Sequence, residues 1–129
     1  MDGEPHEIEA KILELKESKG IDICLLKTGT KIMVETTRNV FELQLVNKVD
    51  NVLRIESTNK FFQTPMFGVL TKSIFDRCGK VFIPSWIGKG MRMCLRTQRG
   101  TLVSDPVKSA CVYGVGQDGK EYKCEVWDD

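Results

Sequence analysis

The feature that most constrains this chain is an alternation of apolar and polar residues with period two, interrupted every few residues by turn formers. In residues 30–36, Ile32 and Val34 share one face while Lys31, Met33 and Glu35 share the other. After Thr37-Arg38-Asn39, Phe41, Leu43 and Leu45 alternate with Glu42 and Gln44. After a turn at Lys48–Asn51, Leu53 and Ile55 alternate with Arg54 and Glu56. Successive side chains of an extended strand point to opposite faces, so three such runs with short polar breaks predict an antiparallel meander with one buried face.

The C-terminal third repeats the pattern. Gly90 to Thr97 sets Met91, Met93 and Leu95 against Arg92, Cys94 and Arg96. Gln98-Arg99-Gly100 is a hairpin signal, Thr101–Ser104 returns, Asp105-Pro106 turns or bulges, and Val107–Tyr113 continues. In Gln117-Asp118-Gly119-Lys120 the Asp-Gly step supplies the positive φ of a second hairpin. Glu121–Trp127 closes the series with Tyr122, Cys124 and Val126 on one face.

Two stretches depart from this period. From His6 to Lys19 the residues are strong helix formers, with Pro5 suited to the first turn and Gly20 to the end. Ile8, Ile12 and Leu15 form a narrow apolar stripe at helical spacing, which predicts a helix packed on a sheet or over a barrel end. Between Asn59 and Pro84, aromatic residues are broken by proline and glycine. Here a strand near Gly68–Ser73, a turn around Arg77-Cys78-Gly79-Lys80 and a short strand at Lys80–Ile83 are expected. Six to eight short strands with frequent turns predict a mainly β fold: a small antiparallel β-barrel, or a sandwich, with one N-terminal α-helix. No linker divides the chain. One domain over 1–129 is expected, with the helix in 1–20 and the barrel in 21–129.

At 129 residues such a domain needs neither disulfide nor metal to fold. The five cysteines, Cys24, Cys78, Cys94, Cys111 and Cys124, are odd in number and no two lie within ten residues of each other. Neither a disulfide framework nor paired zinc ligands have that spacing, so all five are expected to be reduced. The segment Met1-Asp2-Gly3-Glu4-Pro5 is acidic, and no apolar stretch follows it as in a secretory signal. No apolar run approaches the roughly twenty residues of a membrane span. The expectation is a soluble cytoplasmic protein with no membrane partner.

Catalysis finds little support. His6 is the only histidine, and it sits at the start of the expected helix, where it could not serve a distant nucleophile. The carboxylates fall on outward strand positions beside Lys or Arg. Gly88-Lys89-Gly90 lacks the spacing of a phosphate loop and leads into a strand where such a loop needs a helix. No catalytic residue, metal site or cofactor is expected.

Charge is more informative, because the net +1 is divided into blocks. Residues 71–108 hold eight basic side chains against two acidic ones, while 1–20 and 109–129 each carry a balance of −3. A basic block in a strand-rich segment predicts a surface for an acidic partner, a nucleic acid or an acidic protein. Its candidate residues are Trp86, Lys89, Arg92, Arg96 and Arg99: an aromatic ring and a flexible basic loop feeding a strand with outward arginines. A second candidate surface is the run Phe61, Phe62, Met66 and Phe67. If this run is extended, Phe61 and Phe62 point to opposite faces. One of them then needs cover, from the N-terminal helix or from a second copy in a homo-oligomer. The reading of function is thus a non-enzymatic binding module with a basic face, or alternatively an assembly protein using its aromatic patch.

Overall fold

The computed structural model describes residues 5–17, 20–76, 78–115 and 121–125, with side chains for all of these except 5–6, 115 and 121–125. Helix α1 (Pro5–Glu17) is followed by strands β1 (Gly20–Asp22), β2 (Lys31–Thr36), β3 (Val40–Asn47), β4 (Val52–Ser57) and β5 (Met66–Ile74). Then come β6 (Phe82–Pro84), β7 (Trp86–Gly88), β8 (Arg92–Thr97), β9 (Gly100–Val103), β10 (Val107–Val115) and β11 (Glu121–Glu125). The expected mainly β class with one helix is observed. Eleven strands among the described residues replace the expected six to eight; β1 and β7 are three-residue pieces too short to show a period, while β6 overlaps the short strand expected at Lys80–Ile83.

All pairing is antiparallel. The large sheet runs β11-β10-β2-β3-β4-β5-β8-β9, with β6 also paired to β5, and β1 pairs with β7 in a separate two-stranded sheet. The pairs Ile32↔Leu43, Leu43↔Ile55 and Leu45↔Leu53 set inward residue against inward residue across the meander. A slip of one residue would turn each of these runs to solvent, so the alternation itself fixes register.

The inner face is one continuous core. Ile32, Val34, Phe41, Leu43, Leu45, Leu53, Ile55, Leu70, Met93, Leu95, Val107 and Ala110, from six strands of the large sheet, meet in a single buried cluster. That requires the sheet to curl over itself, and Ile21, Ile23, Phe62 and Ile87 complete the same cluster. At the start of β10, Val107 N donates to Met91 O (2.9 Å) and Val107 O accepts from Gly90 N (2.8 Å), while its other edge pairs with β2. Among the described residues the strand ladder does not close, since β9 and β11 each have one paired neighbour.

Helix α1 packs elsewhere than on the aromatic run. Its Leu15 joins Ile83 and Met91 in a second buried cluster, flanked by Ile12, Val81 and Trp86. Phe61 and Phe62 are not extended. They lie in a turn of 3-10 helix over Lys60–Phe62, capped by Asn59, whose side chain accepts from Phe61 N (2.9 Å). Phe62 turns into the main core and meets Phe41 edge-on at 6.0 Å. The expectation of cover from the helix is therefore corrected: Phe62 is covered by the main core, because the 3-10 turn frees it from strand alternation. The hairpin signal at Gln117–Lys120 lies outside the described residues.

Candidate anion-binding face

Strand β8 carries the basic side chains. Met93 and Leu95 are fully buried on its inner side, which directs Arg92, Cys94 and Arg96 outward. The neighbouring β5 would by simple alternation send Leu70 and Lys72 to the same side. A register shift between these two residues turns Lys72 outward, opposite Cys94, while Leu70 stays buried. A bulge re-aims side chains in this way because it inserts one residue into a period of two. The result is an outer face on which Arg92, Lys72 and Arg96 surround Cys94, opposite or diagonal to one another across the β5–β8 pair.

Their environment is apolar or neutral. Lys72 Nζ stands 4.7 Å above the centre of the Phe82 ring, and Arg92 Nη1 donates to Ser104 O at 3.5 Å. Arg96 is exposed, across from Val69 and Thr101. Burial raises the Cys94 thiol pKa, opposed by the nearby Lys72 charge. Among the described residues no carboxylate lies within ion-pairing distance of Lys72, Arg92, Arg96 or Arg99. Other basic side chains do have partners: Arg54 with Glu56 (2.8 Å), Lys108 with Glu35 (3.6 Å) and Arg38 with Asp105 (3.9 Å).

The remaining sequence candidates are distributed around this face. Lys89 is exposed in the turn between β7 and β8, next to Gly90 with φ +82°. Arg99 is at the tip of the β8–β9 hairpin, its Nη1 donating to Phe61 O (3.4 Å) and its guanidinium 5.9 Å from the Phe61 ring centre. Trp86 is taken up in packing. Its indole lies across Gly20 and Gly88, which are cross-strand partners, and a Cβ on Gly20 would stand 2.0 Å from a ring carbon. Its Nε1 is buried with no hydrogen-bond partner among the described residues.

Of the aromatic run, Phe62 is buried, Phe61 and Met66 are half-buried against the core, and Phe67 is 61 % exposed. Phe67 sits on the outer face of β5, opposite Arg54 of β4. Beside it Thr64, Met66, Phe67, Gln98 and Arg99 line an open hollow of about 330 Å³.

A further pair of charged side chains escaped the sequence reading. Glu42 and Glu56 are directly opposite on β3 and β4. A hydrogen bond with Glu56, reinforced by desolvation, raises the Glu42 pKa above its ordinary value, and the same hydrogen bond together with Arg54 lowers that of Glu56. Glu42 also borders a second open hollow, of about 260 Å³, with Lys31, Met33 and Tyr113. The signal existed in the alternation: Leu43 must face Ile55, and that register brings Glu42 to Glu56. The Lys48–Asn51 turn alone pairs Asn47 with Val52 and points to a register one residue away, which a shift between Leu45 and Asn47 corrects.

Cys24, Cys78, Cys94 and Cys111 are free thiols. Among the described residues, no three acidic, histidine or cysteine side chains gather as a metal site would require, and no helix is long and apolar enough to cross a membrane. Comparison with protein families, with curated proteins and with solved structures finds no match. The class defined by the structure is a mainly β antiparallel fold with one helix among the described residues.

Proposed function

We propose that this protein is a non-enzymatic binding module, a small curled β-barrel whose β5–β8 face takes an acidic polymer. The observation that carries the reading is the set Lys72, Arg92 and Arg96: three cations on one outer face with no carboxylate partner among the described residues. Three like charges held this close repel one another, and an anion laid across them relieves that repulsion. The two backbone hydrogen bonds of Val107 with Gly90 and Met91 support the barrel reading, since they join the β10 side of the sheet to the β8 side.

The test is binding of a labelled polyanion to the purified chain across a salt series. With three phosphate contacts on a single strand, the logarithm of affinity should fall against the logarithm of salt with a slope of about −2. The K72E/R92E/R96E variant should lose binding while circular dichroism still reports a folded β protein. Failure of the wild type to bind any polyanion at low salt would refute the reading.

A second reading, assembly of copies through the aromatic patch, draws on the exposure of Phe67. Light scattering decides it, because F67E should then convert a dimer or larger species into a folded monomer.

A further inference from the structure

We infer that Phe67 and the hollow beside it form a base-stacking subsite, so that the polymer taken by the basic face is a single-stranded nucleic acid. The inference rests on the polyanion reading and adds the chemistry of what the polymer carries. Phe67 projects from the outer face of β5 with 61 % of its surface exposed. Arg54, opposite it on one neighbouring strand, is paired with Glu56, and on the other side the β8–β9 hairpin brings Gln98 and Arg99 to the hollow beside Phe67. An exposed aromatic side chain beside the Arg99 guanidinium suits a flat ring attached to an anionic backbone.

The hollow is already shaped. Arg99 N donates to Thr97 Oγ1 (3.1 Å), and Thr97 Oγ1 donates to Gly100 O (3.1 Å), which together fix the hairpin tip. The Arg99 guanidinium is further held by Phe61 O, so the cation stands at the rim of the hollow without a carboxylate partner among the described residues. Thr64 and Gln98 add neutral donors and acceptors to the lining, and Met66 adds apolar surface. At about 330 Å³ the hollow is at the small end of the roughly 300–1,000 Å³ of small-molecule sites, a scale suited to one ring system.

Other polyanions use this arrangement less fully. An acidic peptide would meet the cations, yet it offers no ring for Phe67. A duplex keeps its bases stacked on one another and presents phosphate alone. Only an unpaired strand supplies π-faces and negative charge together. Arg96, on the same outer face of the β5–β8 pair, is then placed to meet a phosphate next to the stacked base.

The experiment compares three labelled ligands of equal length on the full chain: oligo-dT, an abasic strand with the same phosphates, and polyglutamate. The wild type should bind oligo-dT about tenfold more tightly than the abasic strand, in line with the stacking of one base on one aromatic ring. F67A should remove that preference, whereas F67W should retain it; circular dichroism checks that both fold. Equal affinity for dT and abasic strands, or an unchanged dT affinity in F67A, overturns the stacking subsite while salt-dependent binding of both strands leaves the polyanion reading in place. Polyglutamate bound as tightly as dT overturns the nucleic-acid assignment in favour of an acidic protein. Absence of binding to all three ligands overturns both readings.

Discussion

Gly20 and Glu42 show how much a single position can decide in this fold. Gly20 has no side chain because the Trp86 ring fills the space that a Cβ would take. G20A should therefore push the indole out of its seat and destabilise the chain by roughly 1–3 kcal/mol, the usual cost of overpacking. Thermal melting followed by tryptophan fluorescence would show it, and an unchanged melting curve would contradict the packing argument. Glu42 makes a different point, since its raised pKa means that the folded protein favours its protonated form. Its contribution is present at low pH and is lost as pH rises through the raised value. Glu56, with a lowered pKa, contributes above its ordinary range and loses that contribution as pH falls through the lowered value. The pair thus stabilises most between the lowered and the raised value, around the ordinary carboxylate range, where one carboxyl is protonated and the other ionised. E42Q stays neutral throughout, so it should lack the part of the decline that the wild type shows as pH rises above the ordinary carboxylate range. Urea unfolding across that range measures this, and parallel profiles for variant and wild type would exclude a shared proton.

Among the elements, bulges and short connectors do the work that regular strands cannot. The irregularity after Leu70 moves Lys72 from the core side to the outer face, and without it the basic cluster would lose one of its three cations to an apolar interior. Between β9 and β10, Ser104 replaces a strand residue. Its Oγ accepts from Met93 N (2.9 Å) and donates to Asp105 O (2.8 Å), while its own N donates to Met93 O (2.8 Å). S104A leaves the Met93 N–H buried without an acceptor, which costs about 1–3 kcal/mol. Chemical denaturation should report that loss. A variant as stable as the wild type would mean that another acceptor, such as water, takes over.

Across the whole molecule, the charge blocks of the sequence acquire geometry. Three members of the basic block are on one sheet face, another stands at the hairpin tip, and Lys108 of the same block is neutralised by Glu35 instead. The proposed ligand thus depends on the part of the block that folding gathers on one face, and the triple charge reversal tests that part alone. Because Arg96 is exposed, its reversal should cost the fold under about 0.5 kcal/mol.

The alternation determined by itself the class of fold, the strands β2, β3, β4, β8 and β10, and the inward faces of the meander, because period two is a local property of an extended chain. It also marked Arg92 and Arg96 as outward, since their neighbours Met93 and Leu95 had to be inward. Tertiary structure alone decided three things. It placed Lys72 outside, because a bulge carries no compositional signature. It buried Phe62 against Phe41, because a 3-10 turn took it out of the extended run. It seated Trp86 across two glycines 68 residues apart in the chain, Gly20 and Gly88. Each of these depends on contacts between segments distant in sequence, and a local pattern cannot encode which distant surface a side chain will meet.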